Sequence, residues 1–185
     1  METVETKPVT AEEFALLPEP TDGTRLELTR GEVIPVQRPN WEHGEIAGNV
    51  GAAINGYLRT NPRGRVATNS GVITDRGPDT VRGPDVSFIS QERMPLGERM
   101  NRFADQTPDL CVEIISPSNT RRAMEEKIKE YFFTGAKVVW VIDPDERSVT
   151  VFTEPLEGKL LKGDKLLDGG AVLPGFACKV SDLFG

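Results

Sequence analysis

Apolar positions recur along this chain at two different periods, and the changes of period divide it into helices and strands. Thr10-Ala-Glu-Glu13 has the Thr-x-x-Glu form of a capping box and opens a short helix through Leu17, stopped by Pro18 and Pro20. Residues 26–29 and 33–36 read as strands joined by a tight hairpin at Arg30-Gly31. Asn40 caps a helix predicted from Trp41 to about Arg59, with Ile46, Val50, Ile54 and Leu58 at helical spacing. A turn at residues 61–64 precedes a strand over 65–74. A loop with Gly77, Pro78 and Asp79 then leads to Pro84 and a strand over 85–89.

Residues 90–107 carry charges, Pro95 and Gly97, and read as a long exposed connection. The run Leu110-Cys-Val-Glu-Ile-Ile115 is nearly continuous in apolar residues, which predicts a central strand buried on both faces. Ser116-Pro117-Ser118-Asn119 ends it and supplies an N-cap for a helix to about Thr134, with Gly135 as its stop. A second buried strand covers 138–142, and the alternating stretch 148–153 reads as its antiparallel neighbour. Leu160, Leu161, Leu166 and Leu167 surround a turn at Gly163-Asp164, and the closing segment begins at Leu173. With no repeat, low-complexity tract or dividing linker, residues 1–185 are expected to form one mixed α/β domain with a flexible start over 1–9.

Composition narrows the functional classes. No apolar run is long enough for a spanning helix, and the first ten residues have no apolar signal region, so the expected location is cytoplasmic. Cys111 and Cys178 both lie in apolar patterns and read as reduced core residues. One histidine and no Cys-x-x-Cys pair make a zinc site a poor fit. A net charge of −7 argues against a protein that coats nucleic acid, yet allows one that touches it over a small patch.

The candidate chemistry centres on carboxylates. Asp85 starts one strand, and Glu113 lies inside the next apolar strand, where a buried carboxylate requires a partner, a proton or a metal. Two adjacent strands presenting carboxylates at one end would form an oxygen-rich site for Mg²⁺ or Mn²⁺. The structural alternative pairs Glu113 with a lysine or arginine. On the helix after Asn119, Ala123, Met124, Ile128, Tyr131 and Phe132 define the inward arc, and at roughly 100° per residue Lys127 falls inside it. Lys129 projects outward with Glu125 as a surface pair. Lys127 either snorkels to solvent or points to the strand end that carries Glu113. The basic group Arg121, Arg122 and Lys137 is either a phosphate site or a solvated helix face.

Pro84-Asp85 followed by Glu113-Ile114-Ile115 resembles the PD-(D/E)XK nuclease motif. The segments Leu26-Glu27, Gly31-Glu32, His43, Pro84-Asp85-Val86, Pro108-Asp109-Leu110, Glu113 to Asn119, and Lys127 through Tyr131 and Gly135 to Trp140-Val-Ile-Asp-Pro144 resemble the Uma-two family of putative restriction endonucleases. The resemblance runs from about Thr10 to Phe184. It implies a restriction-endonuclease-like fold, a mixed central β-sheet flanked by helices, and a metal held by Asp85, Glu113 and the Ile114 carbonyl. It also implies that Glu27 completes the acidic site. The general motif has a lysine two residues after the glutamate, where this chain has Ile115, so the resemblance implies that Lys127 takes its place. Glu27 and His43 are secondary candidates with structural alternatives: a solvent-facing strand residue and a hydrogen-bonded helix-start histidine.

The leading expectation is a Mg²⁺-dependent DNA endonuclease, with a homodimer suggested by analogy. The alternatives are a catalytically inactive nuclease-fold interaction module and a metal-dependent hydrolase of another phosphate ester.

Overall fold

The computed structural model describes residues 7–185 apart from 19, 23, 98, 101 and 118. Helix α1 (Ala11–Ala15) begins with the predicted capping box, in which Thr10 and Glu13 exchange hydrogen bonds. Strands β1 (Arg25–Thr29) and β2 (Glu32–Val36) form the predicted hairpin, with Arg30 and Gly31 both at positive φ. Helix α2 (Trp41–Thr60) is capped by Asn40, whose side chain accepts from the His43 amide at 2.9 Å.

The single strand expected over 65–74 is instead two: β3 (Gly64–Thr68) and β4 (Val72–Arg76), which belong to different sheets. Asn69 at φ 50° turns the chain between them, and Gly71 lies so close to the Phe103 ring that an added Cβ would fall 2.2 Å from it. Then follow β5 (Asp79–Arg82), β6 (Val86–Ser90) and β7 (Leu110–Ile114). The connection between β6 and β7 is less exposed than expected. Phe103 stacks on Phe14 at 5.6 Å, Ala104 bridges to Val72, and Thr107 and Pro108 are buried.

Helix α3 (Arg121–Phe133) is capped by Thr120 and not by Asn119. The Asn119 side chain turns back onto the Ser116 amide at 2.8 Å, which leaves the next hydroxyl to cap the helix. Ser118, part of the expected breaker, lies outside the described residues. Strands β8 (Val138–Asp143), β9 (Ser148–Glu154) and β10 (Glu157–Lys162) come next. The chain closes with β11 (Leu166–Gly169), β12 (Leu173–Lys179) and a 3₁₀ turn over Val180–Leu183. Of the start expected to be flexible, 1–6 lie outside the described residues, while the Val9 amide donates to the Gly31 carbonyl at 2.9 Å.

The central sheet has six strands in the order β10-β9-β8-β7-β6-β3, mixed because β7 and β8 run parallel while the other pairs are antiparallel. Helix α3 makes the crossover between the two parallel strands, as a parallel pair requires. Leu110, Val112 and Ile114 of β7 face one side, where Ile46, Val50 and Ile54 of α2 and the C-terminal segment cover them. Cys111 faces the other side with Met124, Ile128 and Tyr131 of α3. Side chains alternate across a strand, so Glu113 belongs to the α3 side. A second sheet, β2-β1-β5-β4, stands beside the first. The result is one mixed α/β domain. Among the described residues no helix is long and apolar enough to cross a membrane. Cys111 and Cys178 are free thiols, the first buried and the second half-buried.

Candidate active site

The register of β6 against β7 brings the two carboxylates together. Val86 pairs with Val112 and Ser87 with Cys111 in an antiparallel ladder. Continuing one step places Asp85 opposite Glu113, on the face covered by α3. Asp85 Oδ2 also accepts the backbone amide of Ile114 at 2.8 Å, which fixes the carboxylate at the end of β7. Both residues are buried, at 8% and 4% exposure.

Helix α3 completes the cluster with the side chain whose phase points inward. Lys127 Nζ lies 3.0 Å from Glu113 Oε2, so its ammonium points to the strand end and not out to solvent. One turn further on, the Tyr131 hydroxyl donates to Glu113 Oε1 at 2.5 Å. Burial pushes the Glu113 carboxyl above its usual range; Lys127 opposes that shift and Asp85 adds to it. Burial works to lower the pKa of the Lys127 ammonium, but Glu113, Glu27 and Asp85 outweigh it and raise it above the usual lysine range. Lys127 is therefore charged at neutral pH, a donor and electrostatic group and not a base.

The sequence placed Tyr131 on the apolar face of the helix and within the segment that resembles the family, but gave it no role at the site. Its spacing of four from Lys127 on one helix was the available signal. Replacing it by phenylalanine should cost about 1.5–3 kcal/mol, since a buried charged acceptor loses its donor. Chemical denaturation near pH 7 reads this cost, and no measurable loss there would show that Glu113 is satisfied without the hydroxyl.

The secondary candidates converge on the same place. His43 Nε2 lies 3.1 Å from Asp85 Oδ2, and its buried Nδ1 has no hydrogen-bond partner among the described residues. Glu27 of β1 lies 3.4 Å from Arg82 Nη1. Arg82, which sequence reasoning missed, also donates to Thr29 and grips Glu130 of α3 through Nε and Nη2, the latter at 2.8 Å. Glu27, His43, Asp85, Glu113, Ile114 and Lys127 all line one cleft of about 620 Å³, beside the start of α2 and the C-terminal end of β7. The basic group resolves differently. Arg121 pairs with Glu125 at 2.8 Å, Arg122 with Glu126 at 3.0 Å, and Lys137 with Asp109 at 2.8 Å. Glu125, expected to meet Lys129, meets Arg121 instead.

The donors suit a hard divalent ion that keeps much of its water. Magnesium is commonly held by one or two carboxylates plus water and substrate oxygens. Asp85 and Glu113 offer two, and three carboxylates act on the single Lys127 ammonium, an acidic excess that a cation would offset. Each carboxylate oxygen that accepts a hydrogen bond retains a second lone pair. Among the described residues no group of three or more His, Cys, Asp or Glu side chains stands close enough to hold an ion unaided. The fit is to an ion shared with solvent and substrate, not to an all-protein cage.

The same fold occurs in the crystal structure of a putative nuclease belonging to DUF820 from Anabaena variabilis, with a TM-score of 0.80. The two share 24% identity over 96% of this chain and 98% of that one, a likeness of fold. The chain is thus an α/β domain of nuclease-like fold with an acidic cleft at the end of its central strands. It belongs to the Uma2 family, described as putative restriction endonuclease, whose family profile matches residues 11–181. No curated protein matches it.

Proposed function

We propose that this chain is a metal-dependent DNA endonuclease that hydrolyses phosphodiester bonds with Mg²⁺ or Mn²⁺. The observation that carries this reading is the approach of Lys127 Nζ to 3.0 Å from Glu113, in the cleft that Asp85 also lines. It supplies from a helix the positive charge that Ile115 cannot supply from the strand. In this reading Asp85, Glu113 and the Ile114 carbonyl hold the ion, which contributes water activation and charge neutralisation at the phosphate. The Lys127 ammonium stabilises negative charge developing on the phosphoryl oxygens and orients the attacking water. His43 holds the Asp85 carboxylate in place, and Glu27 adds to the negative field that keeps Lys127 protonated. A cytoplasmic homodimer, presenting two clefts to opposite strands, belongs to the same proposal.

The experiment is nicking of supercoiled plasmid with and without Mg²⁺. Wild-type protein should nick only with the metal, while Asp85→Asn and Glu113→Gln, both close in shape to the originals, should lose most of the activity. A second reading, an inactive interaction module, draws on the engagement of both Glu113 oxygens by Tyr131 and Lys127, as in a structural ion pair. Folded wild-type protein that nicks nothing in either metal would favour that module.

A further inference from the structure

We propose that Trp41 is a base-stacking platform at the mouth of the cleft, and that the preferred ligand is single-stranded DNA. The inference rests on the nuclease reading for its direction, but a different set of residues carries it. Trp41 is the first residue of α2 and stands 88% exposed, although a large aromatic ring usually buries most of its surface. Its neighbours Arg38, Pro39, Asn40, Glu42 and His43 all line the acidic cleft. Trp41 thus sits in the chain between residues of the cleft, and its exposed ring has surface free for stacking.

The cations beside it are arranged for a strand and not for a duplex. A second cavity, of about 780 Å³, adjoins the first, and Arg25, Glu27, Arg38, Pro39 and Gly83 line both. Arg25 and Arg38 thus lie where the two hollows meet, with Arg25 held by the neutral side chain of Asn69 at 2.8 Å. Guanidinium groups at such a junction complement the phosphates of one strand lying through the trough. A duplex would need basic surface spread along many phosphates, and a chain of net charge −7 is poorly supplied with it. Unpaired bases, by contrast, expose faces that stack on aromatic side chains whatever their sequence.

The two tryptophans make the test direct, because Trp140 is 1% exposed and Trp41 is the exposed one. The full chain in EDTA, which prevents metal-dependent cleavage, is titrated with a short oligothymidylate and with a duplex of the same length. The single strand should quench the exposed tryptophan and the duplex should not. Trp41→Ala should weaken single-strand binding about 5- to 150-fold, the equivalent of losing one stacked base, and Trp41→Phe should retain most of the affinity. Equal quenching by duplex, or single-strand affinity unchanged in Trp41→Ala, overturns the proposal. The substitution lies on the surface, so loss of fold is not expected, and circular dichroism checks it. Because binding is read without turnover, Trp41-dependent binding in a protein that never nicks DNA would sink the nuclease reading alone. Metal-dependent nicking indifferent to Trp41, with no single-strand binding, would sink this one alone.

Discussion

Lys127→Ala should reduce Mg²⁺-dependent cleavage by roughly 10²- to 10³-fold, the usual effect of removing one preorganised donor from a developing oxyanion. The ammonium is held 3.0 Å from Glu113 and stays protonated at neutral pH because three carboxylates surround it. Its loss removes positive charge from the reacting phosphate while leaving Asp85 and Glu113 as metal donors. Metal affinity, read by calorimetric titration with Mn²⁺, should therefore change far less than the rate. Lys129→Ala should leave the rate within about twofold, since that side chain projects from the outer face of α3. Lysine placed at position 115 in the Lys127→Ala background should restore part of the activity, because Ile115 follows the strand that carries Glu113 and is half-buried there. Full activity in Lys127→Ala would remove the migrated lysine from the mechanism and favour the inactive module.

Lys127→Met should destabilise the fold in a manner that depends steeply on pH. Burial already holds the folded pKa of Glu113 above the usual carboxylate range, and deleting the ammonium that opposes burial raises it further. A carboxyl whose folded pKa is raised contributes stability below its unfolded pKa and loses it as pH rises through the folded value. The variant should therefore match wild type most closely near pH 4, where Glu113 is neutral in both. Between the two pKa values the gap should widen by up to about 1.4 kcal/mol per pH unit. Near pH 7 it should reach about 3–5 kcal/mol, the range for breaking one half of a buried ion pair. Lys127 has its own raised pKa, so its contribution to the wild type is intact up to about pH 10 and does not blur the comparison. Urea denaturation from pH 4 to 8 measures the gap. An offset independent of pH would mean that the methylene packing of Lys127, not its charge, matters to the fold. Added Mg²⁺ should raise the stability of both proteins and leave the gap largely unchanged, since an ion that binds both folded states with similar affinity stabilises each by mass action.

Much of this arrangement was legible before any tertiary information. Glu113 stood out because a carboxylate interrupts an apolar strand, and Lys127 because its helical phase falls within an apolar arc. The α2 cap at Asn40 and the hairpin at Arg30-Gly31 were also readable, because each depends on a few neighbouring residues. Arg82 was not legible. Its partners are Glu27, Thr29 and Glu130, which are 48 to 55 positions away, and nothing in the local pattern around Val81-Arg82-Gly83 signals a buried guanidinium. The split of residues 65–74 between two sheets was legible in part, because Asn69-Ser70-Gly71 is a turn-type run that interrupts the apolar pattern. Only the tertiary structure shows the packing behind it, with Phe103 lying against Gly71.

By itself the sequence determined most of the elements, the face that the main ones bury, and which polar residues stand on the wrong face, because period and capping are properties of a single segment. Only the tertiary structure decided that Asp85 stands across from Glu113, since strand register is settled by pairing between segments and a shift of one residue would have turned the pair apart. It likewise decided that Tyr131 spends its hydroxyl on Glu113 and that His43 and Glu27 join the same cleft. A hydrogen bond between distant residues is fixed by where three elements meet, and no one of their sequences records that meeting.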